Sequence, residues 1–456
     1  MLKVLTHRIY RHLFLAQVIA LIGTGLTTVA LALLAHDLAA GQAGIVLGTA
    51  LAIKMVAYVG IAPVVGAYAS RLPRRALLVS LDLLRAAVVC ALPFITEVWQ
   101  VYVLIFLLNA CSAGFTPVFQ ATIPDLLEDE GQYTQALSLS RLAYDLENLL
   151  SPMVAATLLM VMSFDALFLF NGLAFLISAS LVVSVALPSP HNVDEAPSVW
   201  RRVSHGMRIY LKTPRLRGLL ALNMVVSAAG AMQIVNTVVY VRSALGLGER
   251  DVAMAFAAAG GGSMIVALLL PRILERVNER PVMLLGGVLM TLSLYLGLLT
   301  PGFIGLLGLW SLLGAGASLV MTPTGRLLKQ SCQPEDRPAL FAAQFSLSHG
   351  CWLLAYPLAG WVGAQVGLVE AFALLGTIAL LATALAAYVW RSYDPMTLEH
   401  DHDPIEHTHL HYHDEHHQHG HEGWEGPEPH RHPHYHPGGR HRHAFVIDRH
   451  HRTWPR

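Results

Sequence analysis

Charge is scarce in this chain. Of its 456 residues only 13% are Asp, Glu, Lys or Arg while 54% are hydrophobic, and the mean hydropathy is +0.51. Soluble domains carry about 25% charged residues, so this composition excludes a water-soluble fold and makes a bilayer the natural solvent. Cysteine is as sparse. Cys90, Cys111, Cys332 and Cys351 have no CxxC spacing, and three of them lie inside apolar runs, which excludes a disulfide framework and a zinc knuckle. No G-x-x-x-x-G-K-[ST] stretch is present, so the phosphate cradle of nucleotide-driven machines is missing too.

Charge of one sign is locally absent as well. The formal net charge is zero, yet residues 1–391 hold 24 Lys+Arg against 19 Asp+Glu and residues 392–456 hold 6 against 11, so the body is +5 and the tail −5 with His neutral. The tail also holds 18 of the 24 histidines. Body and tail therefore call for separate explanations.

Long apolar runs are what the body has. A hydrocarbon core about 30 Å thick needs roughly 20 apolar residues per helical crossing. Twelve segments qualify, near 13–35, 43–69, 76–95, 99–122, 137–162, 166–187, 215–242, 252–271, 281–299, 303–323, 338–364 and 368–390. The first follows Lys3, Arg8 and Arg11 but is too long for a cleaved secretory signal, and reads as an uncleaved span. With both termini in the cytoplasm, nineteen Lys/Arg fall inside and only Arg242 and Arg250 fall outside, the asymmetry that fixes orientation. The division is then 1–190 for a first six-helix half, 191–214 for a linker, 215–391 for a second half and 392–456 for the tail.

The halves echo each other. Gly66-Ala-Tyr-Ala-Ser70-Arg71-Leu-Pro73-Arg74-Arg75 closes one apolar run, and about 205 residues later Pro271-Arg-Ile-Leu-Glu275-Arg276-Val-Asn278-Glu279-Arg280 closes another, with Arg71 on Arg276 and Arg75 on Arg280. Thr116-Pro117 repeats as Thr322-Pro323, and Ser151-Pro152 as Tyr356-Pro357. The first of these segments resembles the G-x-x-x-D-R-x-G-R-R loop of the major facilitator superfamily: Gly66, Arg71, Arg74 and Arg75 agree, whereas Ser70 replaces the aspartate and Pro73 the second glycine. The resemblance implies an all-α membrane protein with twelve transmembrane helices in two pseudo-symmetric halves, a disordered C-terminal tail, and alternating access. It assigns Gly66, Arg71, Arg74 and Arg75 to a gating loop, echoed by Arg276 and by Glu275, which could keep the family's charge lock in the second half.

Polar residues inside an apolar helix cost about 2.5–3.5 kcal/mol each on insertion scales. The fifth span carries Arg141, Tyr144, Asp145 and Asn148 at i, i+3, i+4, i+7, hence on one face. Glu147 lies about a third of a turn from that stripe. Two readings stand side by side: Arg141 and Asp145 neutralise each other and fasten the helix to a neighbour, or Asp145 serves as a proton or cation site. His349 in the eleventh span falls at similar depth when Pro152 and Pro357 are aligned, as a second ligand or as a hydrogen-bonded packing residue. Lys54 calls for a neighbouring carboxylate, and Asp82 with Arg85, at i, i+3, reads as a structural pair.

In the tail, His400, His402, His407, His409, His411, His413, His416, His417, His419, His421, His430, His432, His434 and His436 are interleaved with carboxylates and no thiols. Nitrogen and oxygen donors suit Ni(II), Cu(II), Zn(II) and Co(II). Glycines, prolines and charges recur throughout, so disorder without metal is expected. A twelve-helix facilitator with such a tail resembles the bacterial nickel-resistance exporters of the superfamily. That resemblance implies residence in the inner membrane, proton-coupled export of Ni(II) with Co(II) as a secondary substrate, no tightly bound cofactor, no nucleic-acid partner, and a monomer in lipid. Two rivals remain open: an exporter of an organic compound such as a siderophore or drug, since fold does not assign substrate, and a membrane-anchored metal buffer or sensor.

Overall fold

The apolar runs become helices because in lipid a chain has to satisfy its own backbone polar groups. The structure, a computed structural model, describes the chain outside residues 1, 40–42, 70, 189–198, 393, 395–396, 403–404, 412–429, 437–438, 448–450, 452–453 and 455–456. Its helices are α1 (Arg8–Ala39), α2 (Ala43–Ala69), α3 (Arg74–Ala91), α4 (Val98–Leu126), α5 (Glu130–Leu159), α6 (Phe164–Val183), α7 (Val199–Lys212), α8 (Pro214–Val239), α9 (Glu249–Leu274), α10 (Glu279–Gly297), α11 (Phe303–Met321), α12 (Thr324–Lys329), α13 (Arg337–Gln365) and α14 (Leu368–Val389). Among the described residues, ten helices are long and apolar enough to cross a membrane. The remaining two long helices, α5 and α13, have 30 and 29 residues and carry the polar residues singled out in the fifth and eleventh spans.

Local chemistry sets the helix starts. Asp129 caps α5, its Oδ1 accepting from the Gln132 amide at 2.7 Å, and Glu130 adds an acid to the first turn, where the helix dipole favours it. Proline opens α8 and α13, a position where its missing N–H costs nothing. Pro117 lies within α4, whereas Pro323 separates α11 from α12, so the matched prolines are held inside a helix in one half and fall at a helix break in the other.

Packing follows the duplication. Within the first half α1 and α3 pack on α6 and α2 on α4; within the second, α8 and α10 pack on α14 and α9 on α11. Between the halves α2 lies against α13 and α5 against α9, the same contact made twice about a pseudo-two-fold axis. Gly66 permits the first of these: a β-carbon there would collide with that of Ala342 on α13, so only glycine allows the helices so close. Large apolar side chains such as Ile265, Ile304 and Leu381 stay 61%, 79% and 65% exposed. A surface of that kind is suited to lipid.

Two regions outside the membrane spans contain described elements. In the linker, α7 docks on α13 and α2, with His205 Nε2 2.8 Å from Asp336 and Tyr210 OH donating to Gln344 Oε1 at 2.5 Å. In the tail, β1 (Thr397–His402) pairs antiparallel with β4 (Gly439–Ala444), and β2 (Ile405–His411) with β3 (His430–His436). The composition of these arms offers no core. The strands need none, since an alternating pattern is compatible with extended backbone and the two arms pair with each other.

Candidate functional site between the halves

The half-to-half contact is where the buried charges converge. Asp145 is 5% exposed and faces α9, where Ser263 Oγ donates to its Oδ2 at 2.6 Å. Arg141 is 3.0 Å from Oδ1, its Nε donates to Ser263 Oγ at 2.9 Å, and its Nη1 reaches Met321 Sδ at 3.3 Å. Three side chains from two halves thus close a ring. The carboxylate is balanced within its own helix and hydrogen-bonded to the opposite half, so a proton arriving on it would unbalance Arg141 and weaken a bond that holds the halves together. Ser263 was not singled out from the sequence. Its only signal is the run Gly260-Gly261-Gly262-Ser263, where a β-carbon on Gly262 would strike the Ser311 carbonyl.

The other predicted members separate. Glu147 points toward α1, its Oε1 beside Gly25, and the side chain of Asn148 lies outside the described ones. His349 sits at the α2–α13 contact, its Nδ1 2.7 Å from the Phe345 carbonyl and its ring 4.7 Å from Tyr58 and 4.2 Å from Phe345. Lys54 extends over Tyr58 at 5.6 Å and acts electrostatically on both Glu147 and His349. Helix α5 therefore serves two contacts, Asp145 at α5–α9 and Glu147 with Lys54 on the side of α1 and α2. Asp82 and Arg85 pair beneath Ser178, with the guanidinium between the Phe115 and Phe175 rings.

On the linker side the halves are joined by charge. Asp125, at the end of α4, holds Arg74 of its own half and Arg337 of the other. Arg326 of α12 holds Glu279 of its own half at 2.8 Å and Glu130 of the other at 2.9 Å, and donates to Thr134 Oγ1 at 2.8 Å. A cleft of about 450 Å³, lined in part by Asp125, Glu128, Lys329 and Arg337, adjoins the first group. Of the gating-loop residues, only Arg74 enters this network; Arg71, Arg75 and Arg276 are exposed. Glu275 is exposed too, and the acid that makes the second half's ion pair is Glu279, four residues on. Glu275 caps the end of α9 whereas Glu279 opens α10, and the side chain in the first turn of α10 is the one that meets Arg326 of α12.

Of the tail histidines, His400, His402, His407, His409, His411, His430, His432, His434 and His436 lie in the strands. His413, His416, His417, His419 and His421 lie outside the described residues. Among the described residues no group of three His, Cys, Asp or Glu side chains is placed to hold a metal. All four cysteines are free, and burial pushes the Cys332 thiol well above its ordinary range, which makes it a poor ligand.

The arrangement can be set beside known proteins. A family model described as the Major Facilitator Superfamily matches residues 13–276 and 219–411. The chain is 24% identical over 338 residues to the uncharacterized MFS-type transporter YfiS of Bacillus subtilis, covering 70% of this chain and 78% of that protein. It is 27% identical over 191 residues to macrolide efflux protein A of Enterococcus faecalis, which covers 39% of this chain and 58% of that one. In fold it is similar to the human organic anion transporter MFSD10, with a TM-score of 0.71 at 14% identity over 83% of this chain and 99% of that one. It is also similar to a bacterial homologue of the iron transporter ferroportin in its outward-facing state, with a TM-score of 0.67 at 16% identity over 84% and 98%. With both halves matched, the chain belongs to the Major Facilitator Superfamily.

Proposed function

We propose that this chain is a proton-coupled exporter working by alternating access, with Asp145 as the coupling carboxylate. The observation that carries this reading is the ring of Arg141, Asp145 and Ser263 across the α5–α9 contact. A carboxylate holding two rigid bodies together is a two-state element that one proton can bias.

For the cargo, the curated relatives with a stated activity are macrolide efflux proteins, which supports a small organic compound. The aromatic surround of Lys54, built from Tyr58 and Phe345 with His349, suits such a cargo. A second reading, export of a divalent metal with Ni(II) foremost and Co(II) next, is favoured by one specific feature: the 18 histidines of the tail, which would gather metal at the inner mouth and raise its effective concentration.

Vesicles carrying the purified protein, under an imposed proton gradient, separate these readings when offered a macrolide and Ni(II) in parallel. Macrolide flux without Ni(II) flux assigns the organic cargo, and the reverse assigns the metal. Absence of both, with metal still bound by the tail, assigns the buffer. Asp145→Asn is expected to abolish proton-linked flux while the protein still folds; undiminished flux would remove Asp145 from the mechanism. Truncation after Arg391 is expected to lower apparent metal affinity and leave flux measurable.

A further inference from the structure

The charged side chains inside the spans are of two kinds. Asp82 with Arg85 and Asp145 with Arg141 make ion pairs, and Asp82, Arg85 and Asp145 are 0%, 5% and 5% exposed. Lys54 on α2 and Glu147 on α5 differ. Among the described residues neither makes an ion pair or a side-chain hydrogen bond, and both keep part of their surface accessible. A charge kept inside a membrane without a partner is costly and points to function. Here two of opposite sign lie close enough to act on each other without touching.

What surrounds them is aromatic and roomy. Glu147 faces α1 at Gly25, and α1 packs on both α5 and α2. Lys54 Nζ is 5.6 Å from the centroid of the Tyr58 ring, and that ring meets Phe345 at 4.9 Å and His349 at 4.7 Å across the contact with α13. These three rings are partly buried rather than sealed. Gly60 and Gly350 flank them, and a β-carbon on either would meet no atom of the described residues within 4 Å. Towards the linker side the same pair of helices closes, where Gly66 lies against Ala342. A guest with a single charge would satisfy one pole and be repelled by the other. A guest carrying both charges satisfies the two at once.

We propose that Lys54 and Glu147 are the two poles of a cargo site for an amphoteric aromatic compound. Its anionic group lies on Lys54, its amine on Glu147, and its apolar body against Tyr58, Phe345 and His349. This rests on the reading of the chain as an exporter of an organic compound, and it narrows that class to compounds bearing both charges. Asp145 keeps its separate place at the α5–α9 contact.

The test is equilibrium dialysis of the full chain in detergent against three radiolabelled probes: the dipeptide of two phenylalanines, its methyl ester, which keeps only the amine charge, and its N-acetyl form, which keeps only the carboxylate. The unmodified dipeptide is expected to bind about tenfold more tightly than either derivative, the worth of one charged hydrogen bond. Lys54→Gln is expected to bring the dipeptide down to the level of its ester without weakening the ester. Glu147→Gln should bring it down to the N-acetyl form without weakening that form. A misfolded variant would lose all three probes alike, so this matching of one variant to one derivative reports on the poles themselves. Equal or tighter binding of either derivative by the unaltered chain overturns the site, whatever the variants do. Binding of a macrolide but of none of the three probes overturns the amphoteric class and leaves the organic-cargo reading standing. Binding of neither overturns both.

Discussion

The two charge groups that join the halves on the linker side are the same structure written with opposite signs. Arg74 and Glu279 open α3 and α10, 205 residues apart, and Glu130 and Arg337 open α5 and α13, 207 apart. Asp125 ends α4 and Arg326 follows α11, completing the correspondence. In one group an acid holds two arginines; in the other an arginine holds two acids. A duplication that kept its signs would stack like charges across the closed face. Inversion leaves one group at +1 and the other at −1, so that they cancel.

Equivalent geometry does not make the groups equal in strength. Arg74 and Arg337 sit at helix N-termini, where the dipole disfavours a cation, whereas Glu130 and Glu279 sit where it favours an anion. The first group is also the better shielded: the side chains of Arg74, Asp125 and Arg337 are 2%, 4% and 12% exposed, against 51% for Glu130. The arginine pair depends on its acid. The acid pair depends less on its arginine.

The largest effect is therefore expected at Asp125. Asp125→Asn leaves two shielded cations without their partner, an error worth about 3–5 kcal/mol when a buried pair is broken. It should open the linker side, which thiol labelling of the buried Cys332 would register as a marked rise in rate. Arg326→Gln, on the same readout, is expected to cost about half as much, because the freed acids keep their helix termini. A labelling rate equal to that of Asp125→Asn would show that the dipole argument carries no weight. Glu130→Gln comes last, at about 0.2–1 kcal/mol, since a half-exposed pair is screened by solvent. Should it match Arg326→Gln, the solvent-exposed arm would be the one that matters.

Much of the body is legible without coordinates. Hydropathy gives ten of the spans among the described residues, and the two other long helices inform as well: α5 and α13 carry Arg141, Asp145 and His349. The 205-residue echo of the arginine-bearing loops announces two halves. The echoing segment holds two acids, Glu275 and Glu279, and the ion pair to Arg326 is made by Glu279, at the start of α10. Loop similarity records ancestry, and the contact is set by which residue opens α10, next to α12.

The sequence by itself determined the membrane habit, the duplication, the one-face grouping of Arg141 with Asp145, and the donor chemistry of the tail. These depend on composition and on spacings of a few residues, which helix geometry converts directly into faces. Only the tertiary structure decided that Asp145 takes its second partner from Ser263, 118 positions away, that Asp125 reaches Arg337 across 212, and that the tail returns to bury Phe445 in the second half. Such pairings depend on how rigid helices and a folded-back arm are laid against one another, and no local periodicity encodes that.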